Sequence, residues 1–145
     1  MSPEAKERLR RLLIVHEGLR LKPYRCSAGY LTIGVGRNLE ARGISREEAM
    51  VLLENDIAEA EAAARGFFPA FDRLEEPRQA VLVDMAFNLG AVRLGGFRRF
   101  RAALERGDFE QAAREMLDSK WAEQVGPRAR RLAEMMRRGT WADDV

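Results

Sequence analysis

The chain has 145 residues, of which 46% are hydrophobic and 33% charged, with only 5 prolines, a balance that excludes disordered and fibrous classes and leaves a globular chain with a real core. The net charge is +2 with a pI near 9.0, and the arginines crowd the C-terminal half, which favours polyanionic surfaces only weakly. The single cysteine, Cys26, has no internal disulfide partner, and no apolar run approaches bilayer length, so neither a transmembrane helix nor a signal peptide is expected.

Ser2-Pro3-Glu4 reads as a helix start, and Leu9, Leu12, Leu13 and His16 recur at helical spacing until Gly18, so a first helix ends beside Glu17. His16 lies on the apolar face, the place of a core histidine rather than a base or metal ligand. From Tyr24 to Val35, Leu31, Ile33 and Val35 alternate with Tyr30, Thr32 and Gly34, and Ser27-Ala28-Gly29 supplies a turn, which predicts a β-hairpin. Ser45-Arg46-Glu47-Glu48 is a capping box that opens a long amphipathic helix through Leu52, Leu53, Asp56, Ile57, Ala60 and Ala64, closed by Gly66.

Pro77 opens a segment that is apolar almost all round from Ala80 to Leu89, the composition of a buried helix, which Gly90 is expected to end. Helices follow from about Phe97 to Arg106, from an Asp108 cap with Gln111 at the reciprocal offset, and from Pro127 to Arg138 before Gly139. These elements predict an α+β, mainly α fold: a small β-hairpin lobe over about residues 18–60, and a larger helical lobe over about 1–17 and 61–145, joined by the long helix. No repeat or long linker separates them, so residues 1–145 are expected to form one catalytic domain with a cleft between the lobes.

Glu17 stands where the first helix gives way to loop, and the hairpin carrying Cys26 and Thr32 could fold back over it. Read separately, these residues have bland alternatives: a solvated helix-end glutamate, a small buried thiol and a strand threonine. Read together, Glu17, eight residues, Cys26, five residues and Thr32 resemble the Glu…Asp/Cys…Thr signature of phage lysozymes. The likeness extends through His16-Glu17-Gly18-Leu19-Arg20, Gly29 to Gly36, Met85 to Gly90, Ser119-Lys120-Trp121, Pro127 to Arg131 and Arg138 to Trp141, which is essentially the whole chain.

That resemblance implies a lysozyme-like fold and hydrolysis of the β-1,4 bond between N-acetylmuramic acid and N-acetylglucosamine in peptidoglycan, with inversion at the sugar. It implies that Glu17 is the general acid, partly desolvated so as to keep its proton, with Arg128 orienting it. Cys26 stands where many members carry aspartate; its thiolate could activate water, or in principle attack carbon, and Thr32 could hold that water. Tyr30, Gly36, Phe87 and Asn88 are candidate substrate contacts, although packing explains Phe87 equally well.

No cofactor and no metal are expected, and the partner is the glycan strand, bound by a monomer without nucleic acid or membrane insertion. Family resemblance further implies residence in a host cytoplasm and a holin that opens the way to the wall, in the periplasm of a Gram-negative host. The competing reading is a noncatalytic protein that binds envelope or nucleic-acid polyanions through its arginines, with Cys26 marking a lost active site.

Overall fold

Ser2 accepts the Ala5 N–H on its hydroxyl at 3.1 Å and so caps helix α1 (Pro3–Glu17), which Gly18 closes by donating its N–H to Ile14 O at 2.8 Å. A computed structural model describes residues 1–145, and the chain forms two units, Met1–Val51 and Leu52–Val145. α1 clusters with the sheet-bearing first unit rather than with the later helices. It contributes no buried residue, and His16 is exposed, so the expected core histidine is corrected. Periodicity marks the face a helix can bury and not what covers it.

The sheet of the first unit has three antiparallel strands in sequence order: β1 (Arg20–Arg25), β2 (Leu31–Gly34) and β3 (Arg37–Asn38). The expected hairpin is thus β1–β2 with a third strand added, and β3 escaped the sequence pattern because two polar residues carry no alternation. Tyr24 pairs with Thr32 and Arg25 with Leu31, whereas the register shifts between Arg20 and Tyr24. Pro23 lies in that interval, and a residue without an N–H is tolerated on an edge strand or beside an irregularity. Thr32 pairs with Asn38 on the other side, and the Asn38 side chain caps helix α2 (Leu39–Arg42) through the Ala41 N–H at 3.0 Å.

The predicted capping box opens helix α3 (Arg46–Phe67): Ser45 Oγ accepts from Glu48 N at 3.1 Å, and Glu48 Oε1 accepts from Ser45 N at 2.8 Å. Glu48 also takes both terminal nitrogens of Arg37, at 3.0 and 2.7 Å, which joins the start of α3 to β3.

In the second unit, helix α4 (Glu76–Gly95) carries Val81, Leu82 and Met85 at 0% exposure, as its apolar composition requires. Gly90 ends the first helical segment of α4, as its position after the apolar run predicts: at φ 79 and ψ 167 the chain leaves helical geometry, which a glycine allows, and a second helical segment follows across the kink to Gly95. Around α4 lie α5 (Arg98–Glu105), α6 (Phe109–Leu117), α7 (Lys120–Val125) and α8 (Pro127–Arg138). α7 is too short to show a period in sequence. Asp108 caps α6 through Gln111 N at 3.0 Å, but the Gln111 amide donates to Glu115 rather than completing a reciprocal box. Phe67 stacks on Phe100, and Phe97 meets Phe100 and Trp121 edge-on, closing a core of α3 to α8 side chains. The architecture is α+β and mainly α.

Arg78 is a charge inside this apolar unit. Its guanidinium donates to the Met136 and Arg137 carbonyls at 2.7 and 2.9 Å, pairs with Glu75 at 2.8 Å and lies 3.6 Å from the centre of the Phe109 ring. It thereby satisfies carbonyls at the end of α8 that have no helical partner. Arg78→Met is expected to cost about 3 kcal/mol in urea unfolding, since it leaves those carbonyls unpaired; a change below about 0.5 kcal/mol would show that they are satisfied otherwise.

Glu48 supplies a second test. Arg37 first, then the Ser45 N–H and hydroxyl, pull its carboxyl from the ordinary range near ~4.3 down to about 2. The lowered value favours the folded form when the group is ionised, so this stabilisation is present near neutral pH and is lost as pH falls through that interval. Glu48→Gln should flatten the acid limb of unfolding for Met1–Val51, followed by amide exchange across β3; an unchanged limb would remove Glu48 as its source.

Candidate active site

Within the first unit, Glu17 is the last residue of α1 and is exposed, so the burial expected of it is absent. Its carboxyl lies beside Gly36, where an added Cβ would stand 2.7 Å from Glu17 Oε2 and 3.1 Å from its Cδ. The carboxyl occupies the space a side chain at position 36 would need, against bare backbone. Gly36 also has φ +66, so both conformation and space call for glycine.

Cys26 and Thr32 are brought together by the turn between β1 and β2. Cys26 N donates to Tyr30 O at 3.0 Å and Gly29 N to Cys26 O at 2.8 Å, which closes the five-residue loop back to Thr32. The Tyr30 amide, then that of Ala28, and also the Thr32 hydroxyl and Gly29 amide hold the Cys26 thiol below its ordinary value, against the opposing effect of desolvation. A ring of donors of this kind favours an anion in the same way as a backbone nest.

Thr32 is 3% exposed and its hydroxyl donates to Tyr30 O at 2.8 Å. A hydroxyl has one hydrogen, which goes to the Tyr30 carbonyl, so its lone pairs remain for a water. Tyr30 is half exposed and takes part through its backbone, which accepts from both Cys26 and Thr32.

The remaining candidates belong to the second unit. Arg128 donates through Nε and Nη2 to Asp84 Oδ1 at 2.9 and 2.7 Å, and both side chains border a depression of about 340 Å³ with Leu53, Ile57 and Phe87. Asp84 was missed by sequence reasoning, yet it carried a signal: it is the one charged residue in the apolar run from Ala80 to Leu89. Phe87 is 46% exposed and free to meet a ligand. Asn88 instead accepts the indole N–H of buried Trp121 at 2.7 Å, a packing role that occupies its carbonyl oxygen.

A phage lysozyme family model matches residues 15–140, a stretch that contains Glu17, the turn, Asp84 and Arg128. The chain belongs to the phage lysozyme family. It is 30% identical to the pre-baseplate central spike protein Gp5 of Enterobacteria phage T4 over 85% of its own length, but spans only 26% of that protein. It is 24% identical to probable T4-type lysozyme 2 and 23% identical to probable T4-type lysozyme 1 of Dictyostelium discoideum. Those matches cover 91% and 89% of this chain and 95% and 93% of the relatives.

Gly36→Ala is expected to displace the Glu17 carboxyl, seen as a changed side-chain carboxyl ¹³C shift, and to destabilise the first unit by about 1–2 kcal/mol. An unaltered shift and stability would show that the carboxyl does not rest there.

Proposed function

We propose that this phage lysozyme family member hydrolyses the β-1,4 bond between N-acetylmuramic acid and N-acetylglucosamine in peptidoglycan, with inversion. Support comes from the family and, in this chain's own geometry, from one observation: Cys26 N and the Thr32 hydroxyl both donate to the Tyr30 carbonyl, so one turn brings the cysteine and the threonine together. Glu17 gives its proton to the glycosidic oxygen as the bond to the anomeric carbon breaks. The Cys26 thiolate takes a proton from a water, whose oxygen forms the new bond from the opposite face of the sugar. Thr32 fixes the turn through Tyr30 and offers its lone pairs to that water. Arg128, which the resemblance assigns to orienting the acid, is held by Asp84.

A thiolate serves as base here rather than nucleophile because inversion requires water between residue and sugar, whereas direct attack would form a thioglycoside and retain configuration after hydrolysis. The biological setting we propose is host lysis: accumulation in the host cytoplasm, with passage to the wall through a holin lesion. Expression with and without a holin, read as culture lysis, tests that setting separately from the chemistry.

Purified peptidoglycan and permeabilised Gram-negative cells are the substrates for the decisive assay, with release of reducing ends as readout. Wild type is expected to clear them, Glu17→Gln to lose about 100-fold or more, and Cys26→Ser to fall strongly while Cys26→Asp recovers. Retained rates in Glu17→Gln would overturn its role as the acid. A wild type that releases no reducing ends but binds with steep salt dependence would overturn the glycosidase reading in favour of polyanion binding.

A further inference from the structure

β3 is only two residues long, and its pairing with β2 reaches Thr32 and Ile33 before the chain turns into α2 at Leu39. No backbone acceptor of a continuing strand faces Leu31, the first residue of β2, on that side. The Leu31 N–H goes instead to a side chain: Glu40 Oε1 accepts it at 2.9 Å. The same oxygen accepts Arg25 Nη1 at 2.8 Å, and that nitrogen also donates to the Gly29 carbonyl at 3.0 Å. Arg25 and Leu31 are register partners, the last rung before the turn that holds Cys26. One carboxylate oxygen therefore ties α2 to both ends of the turn and, through Arg25, to its tip.

We propose that Glu40 is a positioning residue, a clamp that holds the Cys26–Tyr30 turn in the shape that aims backbone donors at the Cys26 sulfur and keeps Thr32 against Tyr30. This rests on the reading above that the turn supplies the water-activating side of the reaction. Stability is not the main reason for the contact. Glu40 and Arg25 have side chains 43% and 67% exposed, and an ion pair so open to solvent contributes little to folding. Its effect is directional: an oxygen fixed on α2 decides where the Leu31 and Gly29 peptide planes lie, and the intervening amides follow. The Leu31 N–H, with Arg25 behind it, also keeps the Glu40 carboxyl below its ordinary value, so the clamp is ionised at neutral pH.

Glu40→Ala and Glu40→Gln test this as a pair. Both remove the charge, so their electrostatic effects on Cys26 match, but glutamine keeps an oxygen that can accept from Leu31 and Arg25. Three readouts are compared: the pH profile of Cys26 alkylation by iodoacetamide, hydrogen exchange at the Leu31 amide, and kcat and KM on purified peptidoglycan. Cys26 is expected to titrate higher in Glu40→Ala than in Glu40→Gln, with Leu31 exchanging about tenfold faster in the alanine variant. kcat should fall several-fold in Glu40→Ala at unchanged KM and recover in Glu40→Gln, a split that plain loss of stability does not produce.

Coincident alkylation profiles and exchange rates in the two variants would overturn the clamp. A loosened turn with wild-type kcat would overturn its part in the reaction. A wild type without glycan cleavage would sink the functional reading alone, since alkylation and exchange still decide whether Glu40 shapes the turn.

Discussion

In the first unit, order depends on one carboxylate. Glu48 closes the capping box on the Ser45 N–H and grips both terminal nitrogens of Arg37, one of which also donates to the Gly43 carbonyl at 3.2 Å. Three stretches, the start of β3, the loop after α2 and the start of α3, converge on that group. β3 then fixes the register of β2, since Ile33 pairs with Arg37 and Thr32 with Asn38. With only two residues, β3 makes too few backbone hydrogen bonds to hold that register by itself. The Arg37 side chain converts it into a fixed edge, and the positions of Thr32 and Gly36 follow.

Much of this was legible in the sequence because it is written in local rules. The caps at Ser2, Ser45 and Asp108, the turn at Ser27-Ala28-Gly29 and the α4 segment around Met85 each need only neighbours a few residues away. The Glu17, Cys26 and Thr32 spacing identified the family for the same reason, as all three lie on a single stretch of chain. The errors arise where a distant partner decides the outcome. The helical face that His16 shares with Leu9, Leu12 and Leu13 predicts a core position, and only tertiary structure shows it exposed. Gly90 does end a helical segment, but the short segment that follows it to Gly95 has no period of its own in the sequence, and only the structure shows its Leu94 at 0% exposure.

Polar groups in the second unit make the same point with more chemistry. Arg78 reaches carbonyls 58 and 59 residues away, Trp121 finds Asn88 at a separation of 33, and Arg128 finds Asp84 at 44. No periodicity encodes such pairs. What the sequence does encode is need: a buried charge or indole N–H requires a partner, and a lone acid in an apolar run, such as Asp84, signals that one exists. Glu40 carried no comparable signal, because a glutamate in a short exposed helix is the commonest of surface residues and its importance comes only from the Leu31 N–H that β3 is too short to satisfy.

Under the proposed mechanism, Cys26 stands where the family resemblance implies an aspartate in many members, and the turn around it suits either anion. Backbone amides favour negative charge on oxygen or sulfur alike, so the turn that would serve a carboxylate also serves a thiolate. The consequences differ in two respects. A carboxylate is ionised across the whole working range of pH, whereas a thiolate exists only above the thiol's own titration, which the amides of Tyr30 and Ala28 lower without abolishing. A thiolate is also open to oxidation, to which carboxylates are inert. As the proposed base, a thiolate would tie the reaction to the integrity of the turn more tightly than aspartate would: loss of the donors would leave a carboxylate still charged, but would return the sulfur to its neutral, unreactive form.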